Sequence, residues 1–106
     1  MTMRIAKVFV CGKEAGHLTE ITLGKKYKFE YLDGYQGTDV SLTMPINRKV
    51  YIFDRFPSFF DGLLPEGYQL EGLLKLGKVD RNDFFSQLIM VGNDTVGVVT
   101  VKEMTL

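Results

Sequence analysis

Cys11 and His17 are the chain's single thiol and single imidazole, and they lie close together in the sequence. Such a pair could make a thiolate nucleophile if a third group oriented the ring and nearby donors held an oxyanion. No residue at a recognisable spacing supplies either. Cysteine is among the most often buried residue types, so the expectation is a strand thiol in the core and an imidazole at the surface. A structural zinc site takes four ligands, which one cysteine and one histidine cannot provide. Residues 92 to 97 read GNDTVG and could be taken for a phosphate-cradling loop. They lack the glycine spacing followed by Lys-Ser/Thr, and they lead into a strand rather than a helix. The structural reading is stronger: Gly92 closes a helix, Asn93 and Asp94 make a turn, and Gly97 lets a neighbour pack closely. Asp54, Asp61 and Glu66 could converge, but their spacing defines no acid–base pair and solvated turns suit them better. The chain therefore reads as non-catalytic, with no cofactor and no metal.

Charge balance narrows the partners. Lysine plus arginine and aspartate plus glutamate stand at 13 each, a formal net charge of zero. Proteins that hold DNA unaided neutralise phosphates with an excess of cations, so direct nucleic-acid binding is not expected. Chains near zero net charge associate readily, which favours a protein partner. Hydrophobic residues make up 45% and charged residues 25% of the 106 residues, the profile of a soluble globular chain. That length accommodates one domain, 1–106, built on one core. A lone cysteine suits a reducing compartment. The opening MTMRIAKVFVCGKE has too short an apolar run for a signal peptide and no small-residue cleavage site, so it reads as a first strand. No segment approaches the roughly 18 apolar residues of a membrane span. The expected location is the cytoplasm, with no membrane contact.

The first half of the chain reads as strands. Residues 4 to 11 (RIAKVFVC) are apolar on both faces, as in a strand covered on both sides. Gly12-Lys13 marks a turn, and residues 17 to 23 (HLTEITL) resume extended structure. Residues 26 to 32, in the run KKYKFEYL that begins at Lys25, set Tyr27, Phe29 and Tyr31 against Lys26, Lys28 and Glu30. This alternation predicts a half-buried antiparallel strand. Val40, Leu42 and Met44 alternate in the same way until Pro45 stops the ladder.

In the second half the period changes. Phe56, Phe59, Phe60, Leu63 and Leu64 carry helical spacing, interrupted by Pro57, Gly62, Pro65 and Gly67. The first four leucine and phenylalanine positions after Phe56 read as core. Gly62, Pro65 and Gly67 read as a sharp joint that aims a second helix, with Pro65 as its first residue. Leu70, Leu73 and Leu74 form that helix's buried stripe, and Gly77 stops it. Asp80 is the expected N-cap of a third helix bearing Phe84, Phe85, Leu88, Ile89 and Val91. Residues 95 to 101 (TVGVVTV) return to strand. The predicted class is α+β: a mostly antiparallel sheet with three short helices packed on one side.

Taken together, SLTMP (41–45), FFDGLLPEG (59–67) and GNDTVGVVTV (92–101) resemble the N-terminal subdomain of HipA-type serine/threonine kinases in sequence, order and spacing. FFDGLLPEG is the specific element. Val98 stands where the family often has alanine. In that family the subdomain runs on into a kinase core with the ATP loop, catalytic aspartate and metal ligands; here the sequence stops at Leu106. A separate version resembles the HipS component of tripartite HipBST toxin–antitoxin systems. The resemblance implies an antitoxin that binds and restrains a HipT-like serine/threonine kinase toxin, with a HipB-like helix-turn-helix protein supplying DNA binding. The alternative it implies is the N-terminal regulatory fragment of a full-length HipA-type kinase. A weaker third idea is an adaptor that helps a repressor hold DNA.

At about 100° per residue, Tyr68 points away from Leu70, Leu73 and Leu74, with Gly72 one turn along and Lys75 close by. An aromatic on the outer face beside a glycine suits a partner's pocket. The competing reading is a plain surface tyrosine, or one covered by the 32–39 loop. The candidate partner-binding set is Asp61, Pro65, Glu66, Gly67, Tyr68, Gly72 and Lys75.

Overall fold

Residues of period two build the sheet. The computed structural model describes residues 3–92 and 98–104. Five strands, β1 (Arg4–Val10), β2 (Lys13–Thr22), β3 (Lys26–Tyr31), β4 (Val50–Phe53) and β5 (Val99–Glu103), form one sheet in the order β4-β3-β2-β1-β5. Every neighbouring pair is antiparallel. The register sets Val101, Val8, Gly16 and Tyr31 in one row, and Ala6, Leu18, Phe29 and Tyr51 in the next. These rows lie on one face, and on that face α1 (Ser58–Asp61), α2 (Gly67–Gly77) and α3 (Phe84–Val91) follow β4 in the chain. The predicted α+β class, antiparallel with helices on one side, is what forms.

Gly16 shows why the inner face tolerates three neighbouring aromatic rings. A Cβ there would lie 2.4 Å from the Glu30 carbonyl oxygen and 2.8 Å from the Phe29 ring. The bare Cα lets the Phe29 ring lie across β2, where it meets Tyr31 edge-on at 4.9 Å and Phe60 at 6.0 Å between centroids. Phe29, Phe60, Phe85, Leu18 and Leu88 are fully buried around it. Each such side chain contributes roughly 1.5–3 kcal/mol by leaving water.

Several predicted elements shift, each for a local reason. β1 buries only Ala6, Val8 and Val10, so it is covered on one face rather than two. Lys102 lies over the Phe9 ring at 5.7 Å on the other face, shading it without a second layer. The first hairpin turns at Cys11 and Gly12, not Gly12 and Lys13, with φ of 52° and 81°. Two successive positive-φ residues are what a tight two-residue hairpin demands. Cys11 is therefore exposed at the tip rather than buried.

The apolar alternation at Val40, Leu42 and Met44 is not a strand. Ser41 and Met44 close an isolated bridge around a turn, and Leu42 is 96% exposed at its tip. Val40 and Met44 go inward because the buried Tyr31 hydroxyl accepts from the Val40 N–H at 2.9 Å and donates to the Met44 carbonyl. The fourth strand comes later, at Val50–Phe53, which pairs Tyr51 with Phe29 and Phe53 with Tyr27.

Helix boundaries move as well. α1 is a single turn, continued by the Leu63 N–H to Phe60 and Leu64 N–H to Asp61 bonds, which span three residues. The stripe at 56–64 still faces the core: Phe56 and Phe60 are buried, and Phe59, Leu63 and Leu64 pack half-buried beside them. α2 begins at Gly67, two residues after the proline expected to start it, and Gly67 alone of Gly62 and Gly67 uses positive φ, at 59°. α3 is capped by Asp83 rather than Asp80. Asp80 instead accepts the Asn82 N–H at 2.7 Å, closing the turn before the helix. Gly92 ends α3 with ordinary right-handed dihedrals. Its role is contact: a Cβ would lie 2.0 Å from the Val101 carbonyl oxygen. β5 runs Val99–Glu103, and Asn93, Asp94 and Gly97 lie outside the described residues.

Candidate partner-binding surface

A second cluster, unseen in the sequence, fixes the frame on which any surface is displayed. The Arg4 guanidinium leaves β1 and donates to Glu20 at 2.7 Å, to Asp83 at 2.9 Å and to the Ser86 hydroxyl at 2.7 Å. Asp83 in turn accepts the Ser86 N–H at 3.2 Å, the capping bond of α3. One arginine thus fastens the N-terminus of α3 to two strands, while lying over the Phe85 ring at 4.9 Å. The chemistry of these groups follows their placement. Hydrogen bonding to Glu20 holds the Arg4 guanidinium well above its ordinary value, against the cost of burial. Burial would raise the Asp83 carboxyl, but hydrogen bonds from Arg4 and Ser86 outweigh it and hold the group below its usual range. Burial, then the adjacent Glu20 carboxylate, pushes the Tyr27 phenol up to about 12. Tyr27 donates to Glu20 at 3.2 Å, completing the cluster.

The predicted site residues lie elsewhere, around α2. Asp61, Pro65 and Glu66 line one groove of about 340 Å³ together with Leu70 and Arg81. Gly72 and Lys75 line an adjoining, more open depression of about 600 Å³, and Arg81 borders both. Arg81 is held there by an ion pair with Glu71. Asp54 is in neither; it borders a separate groove of about 540 Å³ beside β4 and α1. Of the three carboxylates that might have converged, only Asp61 and Glu66 share a groove.

Tyr68 is 97% exposed, so the 32–39 loop does not cover it, and it lines neither of these two grooves. Gly67 is the positive-φ residue that starts the helix, and space beyond Gly72 is open, with no atom within 4 Å of a would-be Cβ. The stripe of Leu70, Leu73 and Leu74 expected to be buried is only half-buried, Leu70 and Leu74 line the two grooves, and α2 has no fully buried residue. Leu76, outside the predicted set, is 87% exposed. Its signal was present: at 100° per residue it falls off the Leu70–Leu73–Leu74 stripe toward Tyr68.

His17 is half-exposed and contacts the Glu14 carboxylate at 2.8 Å, consistent with a surface imidazole. Among the described residues no three His, Cys, Asp or Glu side chains are grouped to hold a metal, and no helix is long and apolar enough to cross a membrane.

Sheet, helices and exposed α2 define an α+β domain that displays a helix on the covered face of a fully antiparallel sheet. Residues 6–102 match the family model of the HipA N-terminal domain, and the chain belongs to that family. It is similar to the solved N-terminal domain of HipA toxin, with 30% identity and a TM-score of 0.74 over 96% of this chain and 93% of that one. It is also 32% identical over 101 residues to an uncharacterized protein of Haemophilus influenzae, spanning 95% of this chain and 93% of that protein.

Proposed function

We propose that the chain is a non-catalytic antitoxin that binds and inhibits a HipT-like serine/threonine kinase toxin. The observation that carries this reading is α2, which holds Tyr68 almost wholly in solvent beside the open position at Gly72. Tyrosine supplies large contact area with few rotatable bonds, and it is enriched among the residues that dominate binding energy. Membership of the HipA N-terminal domain family supports the kinase as the partner. In this reading Asp61, Pro65 and Glu66 form the wall beside Tyr68, and Lys75 the charged rim. A HipB-like helix-turn-helix protein in the same cytoplasmic complex contacts DNA, in keeping with a formal net charge of zero here.

The likeness to the N-terminal domain of HipA toxin favours one alternative, in which the chain is the N-terminal regulatory part of a full-length HipA-type kinase. The same face would then meet the kinase within one polypeptide. Co-expression with a HipT-like kinase tests the proposal. The two proteins are expected to co-purify, and kinase activity to fall as this chain is added. Tyr68→Ala should weaken binding by about 2 kcal/mol or more, roughly thirtyfold, with the fold intact. Unchanged affinity removes Tyr68 from the interface, and absence of any complex with the kinase overturns the antitoxin reading. A reading frame that continues into kinase sequence decides for the alternative.

A further inference from the structure

We propose that α2 is a separately opening unit: it leaves its seat and unwinds while the sheet and α3 stay folded. Four features of the helix lead there. Its inward leucines are half-buried and none of its residues is fully buried, whereas the shorter α3 buries Phe85, Gln87 and Leu88. Its N-cap, Glu66, makes no side-chain capping bond, whereas Asp83 caps α3. Its first residue, Gly67, sits at a positive φ of 59°, and at its other end the chain closes on Leu74 through Lys78 at 53°, a left-handed conformation that is costly for a residue other than glycine. Gly67, Gly72 and Gly77 lie within it, and glycine is among the poorest helix formers because its backbone loses the most freedom.

What holds the helix is modest. The Glu71–Arg81 ion pair is more than half exposed on both sides, and such pairs contribute little. The Glu66 carbonyl receives the Leu70 N–H only at a long 3.4 Å. Gly77 lies close against Met90, where a Cβ would come within 2.2 Å of the thioether methyl. Met90 is itself partly exposed at 40%, so this contact is at the rim rather than in the core. Nothing in this list ties α2 to the sheet in the way Arg4 ties α3. Regions with few buried apolar contacts open locally at a cost well below that of global unfolding. Opening of α2 is a property of the free chain and requires no partner.

Native-state hydrogen exchange on the isolated full chain tests it. Amides of Leu70 to Leu76 are expected to exchange at least about a hundredfold faster than those of Val8, Leu18 and Leu88. Gly72→Ala, whose added methyl meets open space, should slow exchange in α2 about fivefold and leave β1, β2 and α3 unchanged. Protection of α2 equal to that of Leu88 overturns the proposal. So does a Gly72→Ala variant that leaves α2 exchange unaltered, or that slows exchange equally everywhere.

Discussion

α2 and α3 follow one another in the chain and lie on the same side of the sheet, yet they spend their apolar residues differently. α3 has eight residues and buries three; α2 has eleven and fully buries none. α3 is capped by a carboxylate that an arginine from β1 also grips, so its start is specified by contacts from a distant strand. α2 starts at a glycine and ends at a left-handed lysine, with Tyr68 and Leu76 turned to solvent. The difference separates two tasks that a small domain must divide. One helix completes the core, and the other leaves most of its surface in solvent.

The sharpest way to break the comparison is to truncate one leucine in each helix. Leu88 is fully buried, so Leu88→Ala should cost about 2–5 kcal/mol, read as a lower urea midpoint with the slope unchanged. Leu73→Ala, from a half-buried position, should cost less than half as much. Equal losses would mean that α2 belongs to the cooperative core. Gly92→Ala comes next, since its Cβ would collide with the β5 backbone at Val101. Overpacking of that kind costs about 1–3 kcal/mol, and a neutral result would mean that the end of α3 can shift freely.

Asp83→Ala should follow at about 1–2 kcal/mol, the usual size of a lost cap. It also has a pH signature. The folded carboxyl lies below its ordinary value of 3.8, so its stabilisation is present above that value and is lost as pH falls through the lowered one. The acid limb of a stability–pH curve should therefore flatten in Asp83→Ala. Tyr27 acts at the other end: its phenol rises from 10.0 to about 12, so its contribution holds below pH 10 and is lost as pH climbs through 12. Tyr27→Phe should remove that alkaline loss. The smallest effect belongs to Tyr68→Ala, whose folding stability should stay within about 0.5 kcal/mol of the parent by thermal denaturation. A larger drop would place Tyr68 in the structure of the free protein.

Much of the sheet was readable because strand alternation and inward burial coincide at Tyr27, Phe29 and Tyr31. The same rule misled at Val40, Leu42 and Met44, because a tight turn can also send every second residue inward when a buried hydroxyl holds its backbone. Val50–Phe53 carries only four residues, too few to show a period. Asp80 and Asp83 are equally good caps in isolation. The choice depends on Arg4, which reaches Asp83 from the far end of the sequence. For α2, periodicity placed Tyr68 on the exposed side and the three leucines on the more covered one. It could not give how deep the leucines go, because depth is set by what α3 and the sheet leave uncovered.

The strand order carries a consequence for the route by which the chain folds. β1 meets β2 through a two-residue hairpin, β3 follows directly, and the ladder from Val8 to Gly16 to Tyr31 can close from local encounters. On its other side Val8 meets Val101, across a loop roughly ten times longer, which adds about 2 kcal/mol of closure entropy. The β1–β5 seam is therefore expected to close late, and φ-values near zero at Val99 and Val101 in refolding kinetics would check it. Until it forms, one side of β1 is an open edge, and this is the interval in which a crowded chain is most exposed to pairing with the wrong strand.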